Sequence, residues 1–170
     1  VASYVVFVSL CQAMLSIIEA TILSYSLPKV IKLGNDLKFL ELQILLKTLY
    51  LKATLMLTAL ALFSWMLLPI LLDIYPDKSY LNNINMYWII FLAYAAFILS
   101  LIANQGLYSL KKDIFGLKVR FTGFLILVGS WWLFDILDIV YSMPYALLLS
   151  FFLIALSKVV GLNRLLITYK

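Results

Sequence analysis

Residues 53–74 read ATLMLTALALFSWMLLPILLDI, a run whose one ionisable group, Asp73, sits next to its end. About 20 residues of helix, each rising about 1.5 Å, cross a hydrocarbon core about 30 Å thick. The run is therefore a membrane span, with Pro69 placed to kink it near one end. The same apolar texture recurs around it. Spans are predicted over about 1–27, 53–74, 84–107, 121–140 and 145–160, with an amphipathic interfacial helix over about 37–52 that is either bent into the second span or continuous with it. The chain is read as one all-α domain, a polytopic bundle of about five transmembrane helices.

The connections between these runs carry the orientation. Lys29, Lys32, Lys38, Lys47 and Lys52 lie between the first and second spans. Lys111, Lys112, Lys118 and Arg120 lie between the third and fourth, and Lys158, Arg164 and Lys170 close the chain. Only Lys78 falls in a connection of opposite parity. Basic loops are retained in the cytoplasm during insertion, so the start is expected outside and the end inside. An odd number of spans with an outward start leads to the expectation that earlier membrane segments precede Val1.

Composition narrows the chemistry. The chain is 65% hydrophobic and 12% charged, with a formal charge of +5. Its mean hydropathy is +1.08. The positive excess follows the loop rule, so no nucleic-acid partner is implied. The single Cys11 excludes an internal disulfide and a cysteine-based zinc site, and its apolar setting marks a buried inert thiol. With no histidine, the commonest general base and metal ligand are both missing. No Walker A, dinucleotide or H-E-x-x-H motif is present. No enzyme activity, metal or cofactor is expected.

At the local level, Pro28 and Lys29 are expected to stop the first span, and Gly34-Asn35-Asp36 to turn the chain. Asp36 would cap a helix starting at Leu37. Leu37, Leu40, Ile44, Leu45 and Leu49 form the apolar stripe of the interfacial helix. Tyr75-Pro76-Asp77-Lys78-Ser79-Tyr80 reads as a short external turn, Gly116 as the reversal in the basic connection, and Asn163 to Lys170 as an amphipathic tail.

The candidate site is on the first span. Ser9, Gln12, Ser16, Glu19 and Ser26 fall at intervals of three, four, three and seven, which places them in one stripe of an α-helix. Ionisable groups at membrane depth face a cavity or the bundle interior. Ser9, Gln12, Ser16 and Glu19 are read as lining a hydrated cavity; the alternative is hydrogen bonding to a neighbouring helix. In the third span Tyr87 and Tyr108 read as interface anchors, and Asn104 and Gln105 as packing groups or an inner vestibule. Asp135 and Asp138 form a D-x-x-D pair that would share a metal if it stayed on one helix face, although a solvated helix end explains it more simply. Lys111, Lys112, Lys118 and Arg120 are expected to attract lipid phosphate groups.

The stretch Ser26-Leu27-Pro28-Lys29-Val30-Ile31-Lys32-Leu33-Gly34-Asn35-Asp36, followed by an amphipathic helix bearing Lys47, resembles the polysaccharide flippases of the Wzx type. These belong to the MATE-like superfamily of multidrug, oligosaccharidyl-lipid and polysaccharide exporters. The turn Tyr75 to Tyr80 is similar to a tyrosine-flanked region of that family but lacks its glycine. The resemblance implies the last five helices of a twelve-helix exporter in the bacterial cytoplasmic membrane. It implies membrane lipids and an N-terminal lobe of the same protein as partners. The implied cargo is polyprenyl-pyrophosphate-linked oligosaccharide for O-antigen or capsular polysaccharide, moved by alternating access. It also implies a cationic pyrophosphate site, which would lie in the other lobe or near Lys158. Three other readings stay open: a MATE-type small-molecule exporter, a lipid-phosphate enzyme using Asp135 and Asp138, and a structural subunit.

Overall fold

The computed structural model describes residues 2–74 and 79–168, and among these there is no β-strand. Helix α1 spans Ala2–Ile18, a π turn Glu19–Leu23, and α2 Ser24–Asn35. Then follow α3 (Phe39–Ile74), the one-turn α4 (Ser79–Asn82), α5 (Ile84–Ser109), α6 (Asp113–Ile136) and α7 (Ser142–Thr168). Five helices are long and apolar enough to span a membrane: Ser3–Asn35, Phe39–Asp73, Ile84–Ser109, Asp113–Ile136 and Ser142–Thr168. The chain is an all-α multi-pass membrane bundle. The external turn at residues 75–78 lies outside the described residues.

Most helices outlast their expected spans, because charge and proline are weaker stops than they look; α6 instead starts earlier than expected and ends at Ile136, short of Val140. Pro28 lies inside α2 and does not end it. Proline removes one N–H and crowds the preceding turn, yet α2 continues through it to Asn35. Lys47 and Lys52 interrupt the apolar pattern but cost a helix little in propensity. Thus the interfacial segment and second span merge into α3, 36 residues long and about 54 Å end to end. Pro69 also lies within α3. Lys118 and Arg120, expected in a loop, sit on α6, and the tail of the chain simply continues α7.

The turns were misplaced in sequence for one reason: no glycine among the described residues takes a positive φ. The reversals use Leu37, Lys111 and Asp138, at φ 57°, 56° and 51°. Around each, two backbone bonds close the preceding helix. Lys38 N–H donates to Leu33 O at 3.0 Å and Leu37 N–H to Gly34 O at 3.2 Å. Lys112 and Lys111 bond Leu107 and Tyr108 alike, both at 2.9 Å, and Ile139 and Asp138 bond Phe134 and Asp135 at 3.0 and 3.1 Å. This is the Schellman closure, normally given to glycine. Asp36 therefore ends α2 rather than capping α3, which begins at Phe39.

The glycines instead admit close neighbours. A Cβ on Gly34 would lie 2.5 Å from the Ser109 carbonyl, and one on Gly161 would lie 2.6 Å from the Phe115 ring. A Cβ on Gly116 would meet Asn104 Oδ1 at 3.1 Å, so Gly116 packs against α5 and makes no reversal. Gly123 receives the Ile154 side chain, and Ser150 Oγ donates to its carbonyl at 2.7 Å. Small residues let α6 approach α7 in the manner typical of membrane helices.

Helix α5 is the centre, touching α1, α2, α3, α6 and α7. Its Tyr87, Ile90, Ala93, Ile98, Ile102 and Ala103 are almost wholly enclosed. Tyr87 is not an interface anchor: it is 0% exposed, donates to Ser64 Oγ at 2.7 Å, and meets Phe7 edge-on at 5.7 Å. Tyr108 remains exposed. On α3 the inward row is Leu42, Leu46, Leu49 and Ala53, whereas Leu40 and Ile44 turn outward. In a bilayer an outward leucine meets acyl chains, so hydrophobicity alone does not reveal the inward face.

Candidate functional site

In α1, Ser3, Phe7, Cys11 and Ile18 face inward. On a helix wheel of 100° per residue they centre near 0°. Past the π turn, Ser26, Val30 and Leu33 face inward instead, and they centre near 90° on the same wheel. The π turn spends about one extra residue, rotating the following helix by about 100° relative to an unbroken α-helix. Ser26 is thereby removed from the stripe in which sequence spacing placed it. It is buried and donates to Gln105 Oε1 at 3.3 Å.

The other four members stay together. Ser9, Gln12, Ser16 and Glu19 are all exposed, on the side of α1 turned away from α5. Ser9 Oγ donates to Val5 O at 2.9 Å and Ser16 Oγ to Gln12 O at 3.0 Å. Both hydroxyls bond their own helix, not a neighbouring one. The Gln12 amide and Glu19 carboxylate are the groups presented outward, and Glu19 opens the π turn. Such turns occur often at functional positions in helices.

The polar groups of α5 act within the bundle. Gln105 Nε2 donates to Leu23 O at 2.9 Å. Asn104 Oδ1 accepts from Lys158 Nζ at 3.1 Å, and Lys158 is 0% exposed. Among the described residues the one ion pair joins exposed Lys38 and Glu41 at 3.5 Å, so neither Glu19 nor Lys158 has a counter-charge. A buried ammonium with a neutral partner is the most unusual polar feature of the interior. Its sequence signal was the row Ser150, Ile154, Lys158, Leu162 and Leu166, every fourth residue of α7 and all buried.

Of the set expected to attract phosphate, Lys111, Lys112, Lys118 and Arg120 are all exposed. They do not form one loop. Lys111 is in the turn, Lys112 precedes α6, and Lys118 and Arg120 lie on α6 about 200° apart around its axis. A groove of about 360 Å³ joins Lys112 to Arg164 of α7, a pairing that sequence separation concealed. A second groove, about 270 Å³, brings Lys47 of α3 beside Asn163 of α7. With the Gly34–Ser109 contact, these gather the basic connections at one end of the bundle.

Asp135 occupies the last turn of α6, but Asp138 has left the helix in the left-handed conformation. The two do not share a helix face. No group of three or more metal-ligating side chains occurs among the described residues. No protein-family model, curated protein or solved structure matches the chain.

Proposed function

We propose that the chain is part of a membrane transporter that moves a polyprenyl-pyrophosphate-linked oligosaccharide across the bacterial cytoplasmic membrane. The observation that carries this reading is the exposed row Ser9, Gln12, Ser16 and Glu19 on an otherwise apolar span. An unpaired carboxylate facing acyl chains is costly, so this side of α1 demands water or further protein. A central aqueous cavity between two rocking lobes meets that demand. The resemblance around Ser26 to Asp36 and Lys47 supplies the cargo class, and the basic end of the bundle suits a phosphate-bearing lipid.

Thiol accessibility in a Cys11→Ser background tests the cavity. Gln12→Cys and Ser16→Cys are expected to react with a membrane-impermeant maleimide in the full-length protein, whereas Val6→Cys and Leu10→Cys are not. Equal silence at all four positions would overturn the aqueous cavity. Glu19→Leu is expected to abolish export of lipid-linked oligosaccharide at normal membrane abundance.

One observation favours a second reading. Glu19 is the sole ionisable group of the row, and no Lys or Arg joins it, which fits export of a cationic small molecule. Glu19→Gln in resistance assays against organic cations separates the two cargoes.

A further inference from the structure

We propose that the groove between the start of α6 and the last turns of α7 is a binding site for an anionic glycerophospholipid. Its polar side is formed by Lys112, Arg164 and Ser157, and its apolar side by Phe115, Val160 and Leu165. Lys112 immediately precedes α6 and Arg164 lies on α7, and they meet across a space of about 360 Å³ that no acidic side chain lines. Asp113 follows Lys112 but belongs to the first turn of α6 and is exposed, outside the lining. Gly161 keeps the floor low: a Cβ there would lie 2.6 Å from the Phe115 ring.

Charge complementarity selects the occupant. Two cations and a hydroxyl match one phosphodiester, whose oxygens accept from a guanidinium, an ammonium and an O–H together. The apolar wall flanks those donors, Phe115 from α6 with Val160 before Arg164 and Leu165 after it on α7, so it suits the acyl chains attached to the same phosphate. Inorganic phosphate would use the donors and leave that wall uncovered. Basic pockets between helices at a membrane surface hold anionic headgroups on this principle. The inference does not depend on the cargo proposed above, since the lipid would occupy this groove whatever is transported.

The test uses the whole purified chain, delipidated in neutral detergent and titrated at fixed ionic strength. Native mass spectrometry follows binding of phosphatidylglycerol, phosphatidylcholine and inorganic phosphate. One phosphatidylglycerol is expected to bind saturably, at least about tenfold tighter than phosphatidylcholine. Lys112→Ala with Arg164→Ala, both at exposed positions, is expected to weaken it about thirty-fold. Lys29→Ala with Lys32→Ala, exposed on α2 at the same end, is expected to leave it unchanged. Leu165→Asn is expected to weaken phosphatidylglycerol and not phosphate. Equal loss in both lysine-containing double variants would show diffuse charge attraction and overturn the site. Equal affinity for the two lipids, or full displacement by inorganic phosphate, would overturn the lipid as its occupant.

Discussion

The side-chain amide of Gln105 donates to the backbone carbonyl of Leu23 at 2.9 Å, so α5 holds the last residue of the π turn. The same side chain accepts from Ser26 Oγ at 3.3 Å, one turn further along. Respacing a helix by one residue loosens its own bonding, and a polar group on a packed neighbour compensates. Gln105→Leu is expected to cost about 1 kcal/mol, in the range measured for interhelical hydrogen bonds in membranes. Hydrogen exchange should rise over Glu19–Ser26 specifically. A uniform rise along α1 and α2 would mean that Gln105 packs the helices but does not stabilise the π turn.

Gly34 and Ser109 touch backbone to side chain position, and neither can yield cheaply. Gly34→Ala places a Cβ 2.5 Å from the Ser109 carbonyl. Separation of α2 from α5 should cost about 1–3 kcal/mol, the usual range for overpacking. Gly129→Ala is the matched control, because nothing lies within 4 Å of that position. Thermal unfolding in detergent should show a clear drop for the first variant and none for the second.

Asn104 and Lys158 should behave asymmetrically. Asn104→Leu strands a buried ammonium and is expected to cost about 3 kcal/mol or more. Lys158→Met removes the charge and leaves a half-buried neutral amide, with an expected change below about 1 kcal/mol. Comparing the two melting temperatures decides the matter. If Lys158→Met proves as damaging as Asn104→Leu, the ammonium has a structural partner beyond the amide.

Lys111 holds a left-handed backbone at φ 56° between α5 and α6. A Cβ is disfavoured in that conformation by about 1–2 kcal/mol. Lys111→Gly relieves it, partly offset by the greater freedom of glycine in the unfolded chain. A gain of about 0.5–1 kcal/mol is expected, and none for Lys111→Ala. Detergent-denaturant titrations of both variants distinguish backbone relief from removal of the charge.

The number of spans and their approximate centres followed from runs of apolar residues, because the length of hydrocarbon to be crossed is constant. The expected stop at Pro28 and reversal at Gly116 failed, because Pro28 lies inside α2 and Gly116 packs against Asn104 of α5 within α6. Four of the five stripe residues were legible in the same way: periodicity placed Ser9, Gln12, Ser16 and Glu19 on one side of α1, and all four are exposed there. It wrongly added Ser26, since no spacing rule announces a π turn.

What the sequence by itself determined, then, is that this chain crosses a membrane repeatedly as helices and bears an ionisable residue, Glu19, in its first span. In lipid the backbone must satisfy itself, and only helix does so within one segment. Which face of each helix points inward was decided only in the tertiary structure. Acyl chains and leucines are equally apolar, so inward faces are selected by close contact at Gly34, Gly123 and Gly161 and by polar pairs such as Lys158 with Asn104. Those are relations between distant residues, and composition along the chain does not carry them.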